Sequence, residues 1–259
     1  MTTKWAPAVK KSLTYKAGLG KYPYHLKGDY KGDGFGTRGK SLKFMQDPIF
    51  DRAWEETAAI YRSTIGEEVP DVRWRAHVAI WAARNGLALE GDFVECGVFM
   101  GTLAQMICRL TEFGHSSKKF WLCDTWTGVP VEGLSGDDLA MAETHNKGTY
   151  HRHNVFDAVQ DIFKPWPSCN FVRGILPQSL ESSKIEKIAY LSVDLNNSVA
   201  EKSCIEALWP KLTKGAIVVI DDYGWTAHRV QQDMWDNFAA SKGLMIVTLP
   251  TGQGLLIRD

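Results

Sequence analysis

Acidic residues close several of the apolar runs in this 259-residue chain, a placement that could do chemistry. Glu95 follows Phe93-Val94, Asp124 follows Phe120–Cys123, Asp194 follows Ile188–Val193, and Asp221-Asp222 follow Ala216–Ile220. If these runs are strands of one open parallel sheet, their carboxyl ends form the edge where ligands bind. If the first, fourth and fifth are neighbours, their tips stand about 5 Å apart per step. Asp194 and Asp221 could then share one divalent cation, with Asp222 giving a third oxygen. Hard oxygen ligands suit Mg²⁺, Ca²⁺ or Mn²⁺ better than zinc. Carboxylates this close repel one another unless a metal or a cationic ligand sits among them. The plainer alternative is that each acid caps a helix or takes loop amides. It accounts for one such acid more easily than for acids at four tips.

The first of these tips opens a glycine turn. Glu95-Cys96-Gly97-Val98-Phe99-Met100-Gly101 leads into Thr102–Leu110, whose apolar spacing is helical. Gly97 and Gly101 let the chain turn sharply and leave bare backbone at the helix start. A dinucleotide fold would place Gly-x-Gly-x-x-Gly here to seat a pyrophosphate. Glu-x-Gly-x-x-x-Gly instead puts a carboxylate at the strand tip, which repels phosphate and suits a cationic, amino-bearing ligand such as S-adenosylmethionine. His228 lies one helical turn beyond Asp221-Asp222-Tyr223 and is a candidate base. His145, His151 and His153 could imitate a metal site, although a polar lid explains them more simply. His77 reads as a core or supporting histidine.

These residues need elements to position them. Asp47-Pro48 begins a helix to about Ser63, and Pro70 precedes another in which Trp74, His77, Val78 and Trp81 share a face, ended by Gly86. Strands at 93–95, 119–124, 169–173, 188–194 and 216–222 then alternate with helices. Ser198 caps one helix, with Glu201 at the capping-box position. Residues 127–150 have little periodicity and read as a long loop, a candidate lid. Strands at 244–249 and 253–258 form a closing hairpin. The fold class is therefore α/β: a doubly wound, mostly parallel seven-stranded sheet with an antiparallel edge strand. The domain reading is a basic, Gly- and aromatic-rich arm over 1–43, N-terminal helices over 44–90, and a ligand-binding domain over 91–259.

Composition bounds the function. Formal net charge is zero, which argues against wholesale nucleic-acid binding. The arm holds ten Lys or Arg against two acids, so the remainder is acidic. Basic residues interleaved with aromatics also suit single-strand binding; packing on the body or on a neighbouring subunit is the simpler expectation. No apolar run spans a bilayer and no secretory signal is evident. Five cysteines without a C-x-x-C pair point to reduced thiols in a cytoplasmic protein.

From about Val72 to Asp259 the chain resembles class I S-adenosylmethionine methyltransferases, and among them the macrocin O-methyltransferase type. Gly-Asp-Phe-Val-Glu-Cys-Gly-Val (91–98), Asp-Thr-Trp-Thr-Gly-Val-Pro (124–130), Asp194, Ile-Asp-Asp-Tyr (220–223) and Leu-Pro-Thr-Gly-Gln-Gly-Leu (249–255) carry the resemblance. It implies that Glu95 and Gly97 line the methionine end of the cofactor, with Gly101 completing the turn. Asp124 would hold the ribose hydroxyls, and Trp126 and Gly174 would lie near the adenine. Asp194, Asp221 and Asp222 match the family's magnesium ligands. The family usually reads Asp-x-Asp where this chain has Asp194-Leu195-Asn196. The second acid is the family's candidate base, and Asn196 cannot take a proton at neutral pH.

The function implied is Mg²⁺-dependent O-methylation of a sugar or polyol hydroxyl in a natural product or glycan. The partners expected are a small hydroxyl acceptor and a second copy of the chain, with neither nucleic acid nor membrane. Two alternatives stand beside it: a nicotinamide-dependent oxidoreductase, and a non-catalytic partner protein that binds S-adenosylmethionine.

Overall fold

The structure is a computed structural model that describes residues 30–259. Residues 1–29, and with them most of the basic arm, lie outside the described residues. A short hairpin, β1 (Tyr30–Gly32) and β2 (Phe35–Thr37), comes first, then α1 (Pro48–Ile65) and α2 (Arg73–Leu87). The alternating part runs β3 (Asp92–Cys96), α3 (Thr102–Leu110), β4 (Phe120–Asp124), α4 (Gly136–Gly148), α5 (Phe156–Phe163), β5 (Cys169–Arg173) and β6 (Ile188–Val193). It continues through α6 (Ser198–Leu208), β7 (Leu212–Ile220), α7 (Arg229–Ser241), β8 (Val247–Thr248) and β9 (Gly254–Ile257).

The main sheet has the order β5-β4-β3-β6-β7-β9-β8. The five strands from β5 to β7 are parallel, and β9 runs antiparallel to both β7 and β8. Strands β3, β6 and β7 are neighbours, as the acidic-tip reading requires. Strand periodicity then sorts side chains between two apolar layers. Phe93, Tyr190 and Val219 pack with α1, α2 and α3, whereas Val94, Leu191 and Val218 pack with α6 and α7. Register pairs Cys96 with Val193 and Val193 with Ile220. Glu95, Asp194 and Asp221 therefore share a parity that directs them towards the α2 side of the sheet.

Several expectations need correction. Residues 127–150 are not an irregular loop, because α4 occupies most of them. Its mixed polar sequence has only two buried residues, Ala142 and Asn146, so it shows almost no apolar stripe. The buried face of α2 is not Trp74/His77/Val78/Trp81. It is the small-residue face containing Ala76, Ala79, Ala83 and Gly86, while Trp81 is 48% exposed. Bulky residues would hold the helix off the sheet. Alanines let it lie close, and Trp74 and His77 instead pack against Phe44. Asn197, not Ser198, caps α6 by accepting from the Ala200 amide.

Gly86 does not end α2. It lies inside the helix where a Cβ would stand 2.8 Å from the Ala189 carbonyl oxygen and 3.2 Å from Tyr190 Cβ. Gly86→Ala should therefore destabilise the fold by about 1–3 kcal/mol through overpacking, despite alanine's better helix propensity. Urea unfolding checks this.

Candidate active site

Each strand tip is stitched to the next beyond the regular ladder. The Gly97 amide donates to the Cys123 carbonyl, Asp194 to Cys96, and Asp221 to Val193, all within 2.8–3.0 Å. Gly97 has φ +88°, and a Cβ there would lie 1.8 Å from the Asp194 carbonyl oxygen. Its lack of a side chain is thus required by the neighbouring strand tip. Gly101, also left-handed, caps α3 against the ring of Phe163.

Asp124 organises the glycine turn. One carboxylate oxygen accepts from the Val98 and Phe99 amides at 2.6 and 2.8 Å, and the other from the Trp126 amide at 2.8 Å. For this acid the loop-amide alternative describes what the side chain does, although two carboxyl oxygens can accept more than these three donors. Trp126 donates its indole N–H to the Phe99 carbonyl at 3.0 Å, and the Gly174 amide donates to the Asp124 carbonyl at 2.9 Å. A cleft of about 260 Å³ opens here, lined in part by Gly97, Asp124, Trp126, Gly174, Asp194 and Asn196.

A second cavity of about 190 Å³ adjoins it on the α2 side and shares Gly97, Val98, Phe99, Tyr150 and Asp194. Glu95 lies in its wall, only 4% exposed, and its Oε2 has no hydrogen-bond partner among the described residues. Burial, reinforced by the charges of Asp221 and Asp124, raises the pKa of this carboxyl well above the usual range. An orphaned carboxylate oxygen facing a cavity suits a cationic group.

Asp194 stands where the two cavities meet. Its Oδ1 accepts from the Asn196 amide at 2.8 Å, and no described donor reaches its Oδ2. Burial first, then the charges of Asp222 and Asp221, push its pKa well up. Asn196 is held in the left-handed region, φ +57°, which Asn tolerates better than most residues. Its amide nitrogen lies 3.5 Å from the Tyr150 hydroxyl. Tyr150 follows α4, and that helix is docked at both ends. Asp138 accepts from the Ser198 hydroxyl, and the Asn146 side chain pairs with both backbone groups of Val129 at 2.8 and 2.9 Å.

Asp221 and Asp222 do come together, but around an arginine. Nη1 of Arg75 is 2.5 Å from Asp221 Oδ2 and 3.1 Å from Asp222 Oδ1, and its Nε is 2.5 Å from Asp33 Oδ2. Burial works against the Arg75 charge, yet the three carboxylates outweigh it and hold the group's pKa above the ordinary arginine value. The guanidinium also lies 5.4 Å from the centre of the Trp225 ring. The second oxygen of Asp221 accepts from Gln253 at 3.0 Å. Among the described residues no group of three or more His, Cys, Asp or Glu is arranged to hold a metal ion. As the side chains stand, Asp194, Asp221 and Asp222 do not fit a divalent cation, because a guanidinium already fills the position between two of them.

His228 is brought to Asp222, Nε2 to Oδ2 3.7 Å, but lines neither cavity. Its Nδ1 meets Gln231 Oε1; Gln231 donates to Glu201 at 2.8 Å, and Trp235 donates to the other Glu201 oxygen at 2.6 Å. His145 contacts the His228 ring at 6.1 Å and assembles no metal site with His151 and His153. Arg75, Asp33, Tyr150 and the Glu201 network escape reading from sequence. Arg75 alone leaves a signal, standing in register with Ala79, Ala82, Ala83 and Gly86 on the small-residue face of α2.

A parallel sheet with one reversed strand beside β7, helices on both faces and a cleft across the strand tips is the fold of class I S-adenosylmethionine methyltransferases. The structure is similar to that of the O-methyltransferase NovP, with a TM-score of 0.66 at 19% identity over 81% of this chain and 98% of that one. The macrocin-O-methyltransferase (TylF) family model matches residues 77–247, and the chain belongs to that family. It is 23% identical over 204 residues to demethyldecarbamoylnovobiocin O-methyltransferase of Streptomyces niveus, covering 69% of this chain and 74% of the relative. It is 26% identical over 155 residues to 8-demethyl-8-(2,3-dimethoxy-alpha-L-rhamnosyl)-tetracenomycin-C 4'-O-methyltransferase of Streptomyces olivaceus, covering 54% and 56%. Membership makes the chain a methyltransferase that uses S-adenosylmethionine and sets aside the oxidoreductase alternative. No described helix is long and apolar enough to cross a membrane.

Proposed function

We propose that the protein methylates a sugar hydroxyl on a natural product, taking the methyl group from S-adenosylmethionine bound across the two joined cavities. The observation that carries this is the orphaned Glu95 oxygen in the wall of one cavity, paired with Asp124 at the mouth of the other. Glu95 would receive the methionine ammonium and Asp124 the ribose hydroxyls. Trp126 and Gly174 would border the adenine, and Gly97 and Gly101 would shape the turn between. The sugar assignment draws on the relatives. One is named for a rhamnosyl-tetracenomycin, and another, 25% identical over 157 residues, is the mycinamicin III 3''-O-methyltransferase of Micromonospora griseorubida.

Transfer is a displacement. The acceptor oxygen forms a bond to the methyl carbon as the sulfur–methyl bond breaks, sulfur leaves as a neutral thioether, and the hydroxyl proton passes to a protein group. Asp194 is the group we place at that proton, because it lies where the cavities meet with one oxygen undonated. Asn196 and Tyr150 would orient Asp194 and the acceptor. His228, set behind Asp222, would support that tip. Much of the rate then comes from alignment within a water-poor cleft. No step here passes through magnesium.

Asp124→Ala should weaken S-adenosylhomocysteine binding about tenfold or more, since charge-assisted hydrogen bonds contribute about 1.5–3 kcal/mol. Calorimetry on the folded variant tests it. Unchanged affinity removes Asp124 from the cofactor site.

A further inference from the structure

The Asp221-Asp222 tip belongs to a family for which a magnesium site is implied, yet two departures meet at it in this chain. Asn196 replaces an acid, and Arg75 enters from α2 to bind both aspartates at once. The arginine is no surface visitor. It is 8% exposed, sits on the helix face that packs against the sheet, and is fixed from the other side by Asp33 at 2.5 Å. Asp33 lies at the tip of the β1–β2 hairpin, which Tyr30 anchors by donating to the Asp71 carbonyl at 2.6 Å. Trp225 closes the remaining side, packing against Arg75 and against the position where Gly34 would carry a Cβ. Hairpin, helix and strand tip together make a built seat for one monovalent cation.

We propose that Arg75 is the resident cation of this site, so that the protein folds and binds its cofactor with no divalent metal on Asp194, Asp221 and Asp222. This rests on the methyltransferase reading above and assigns the position that the resemblance gives to magnesium. A divalent ion placed between Asp221 and Asp222 would meet a guanidinium already bonded to both, and like charges at that separation repel strongly in a low-dielectric site. Displacing Arg75 would also strand its charge beside Asp33, and an uncompensated buried charge is costly. Arg75 is a positioning residue: it holds the two carboxylates in place beside Asp194.

The test uses the full chain, freed of metal by EDTA and dialysis. Titrating Mn²⁺ into the wild type by calorimetry and electron paramagnetic resonance should show no saturable site. Millimolar Mg²⁺ should leave the melting temperature unmoved, since only an ion that binds the native state raises it. S-adenosylhomocysteine should bind equally with and without Mg²⁺. Arg75→Gln, which removes the charge, should gain a saturable Mn²⁺ site and a Mg²⁺-dependent melting temperature, changes that a purely structural role for Arg75 would not produce. A stoichiometric, saturable Mn²⁺ site in the wild type overturns the proposal even if Arg75→Gln fails to fold. If S-adenosylhomocysteine fails to bind the wild type in any condition, the cofactor reading falls, and that outcome is distinct from metal binding.

Discussion

Asp194→Asn is expected to lower methyl transfer by about two to four orders of magnitude, the usual contribution of a positioned proton acceptor. Cofactor binding should survive. The side chain keeps its size, and Asn196 remains beside it at the cavity junction. The Asp194 carboxyl makes one hydrogen bond among the described residues, from Asn196, so an amide can stand there without stranding a second donor. A variant that binds S-adenosylhomocysteine normally but turns over slowly places Asp194 at the reacting oxygen. One that keeps wild-type turnover moves the proton to another group, and Tyr150 and His228 become the residues to test.

The largest stability effect is expected at Glu201. This fully buried carboxylate receives the Leu195 amide, the Gln231 amide and the Trp235 indole at 3.1, 2.8 and 2.6 Å. Glu201→Ala strands all three donors and opens a cavity between α6 and α7, which should cost about 3–5 kcal/mol. Burial dominates over those donors and raises the carboxyl from its ordinary 4.5 to about 7. Between those two values the folded protein keeps a proton that the unfolded chain releases. Wild-type stability should therefore fall as pH rises through that window and level off above it. The loss is about 3 kcal/mol, since each tenfold difference in proton affinity is about 1.4 kcal/mol. Glu201→Gln should remove that slope. Urea unfolding of both proteins from pH 5 to pH 8, spanning most of the window, measures the difference directly, and parallel pH dependences would show that Glu201 does not bind the extra proton.

Much of the sheet was legible because buried parallel strands are short, continuous apolar runs, and an acid at each end marks the tip. Adjacency of β3, β6 and β7 entered only as a condition on the acidic tips, and the strand order meets it. What escaped was set by tertiary partners. The helix over 136–148 buries only two side chains, so nothing periodic announces it. The face of α2 was misjudged because tryptophan signals burial by size, whereas the helix lies close to the sheet through a face made mostly of alanine and glycine. Arg75 was lost with that face, and with it the partner that lets Asp221 and Asp222 stand side by side. Gly97 lines both cavities, and its further duty of making room for the Asp194 carbonyl left no mark in the sequence. Glu201 was read as a cap, but its carboxylate turns inward to Gln231 and Trp235 because the pairing of α6 with α7 leaves two buried donors there.

The most direct test is transfer itself. S-adenosylmethionine with an isotopically labelled methyl group is incubated with the protein and a panel of rhamnosylated and other sugar-bearing acceptors, and the products are resolved by mass spectrometry and NMR. The label should appear as a methyl ether on a sugar oxygen, with S-adenosylhomocysteine formed in equal amount and both lost in Asp194→Asn. Label recovered on nitrogen or carbon, or transfer undiminished in Asp194→Asn, would contradict the site described here.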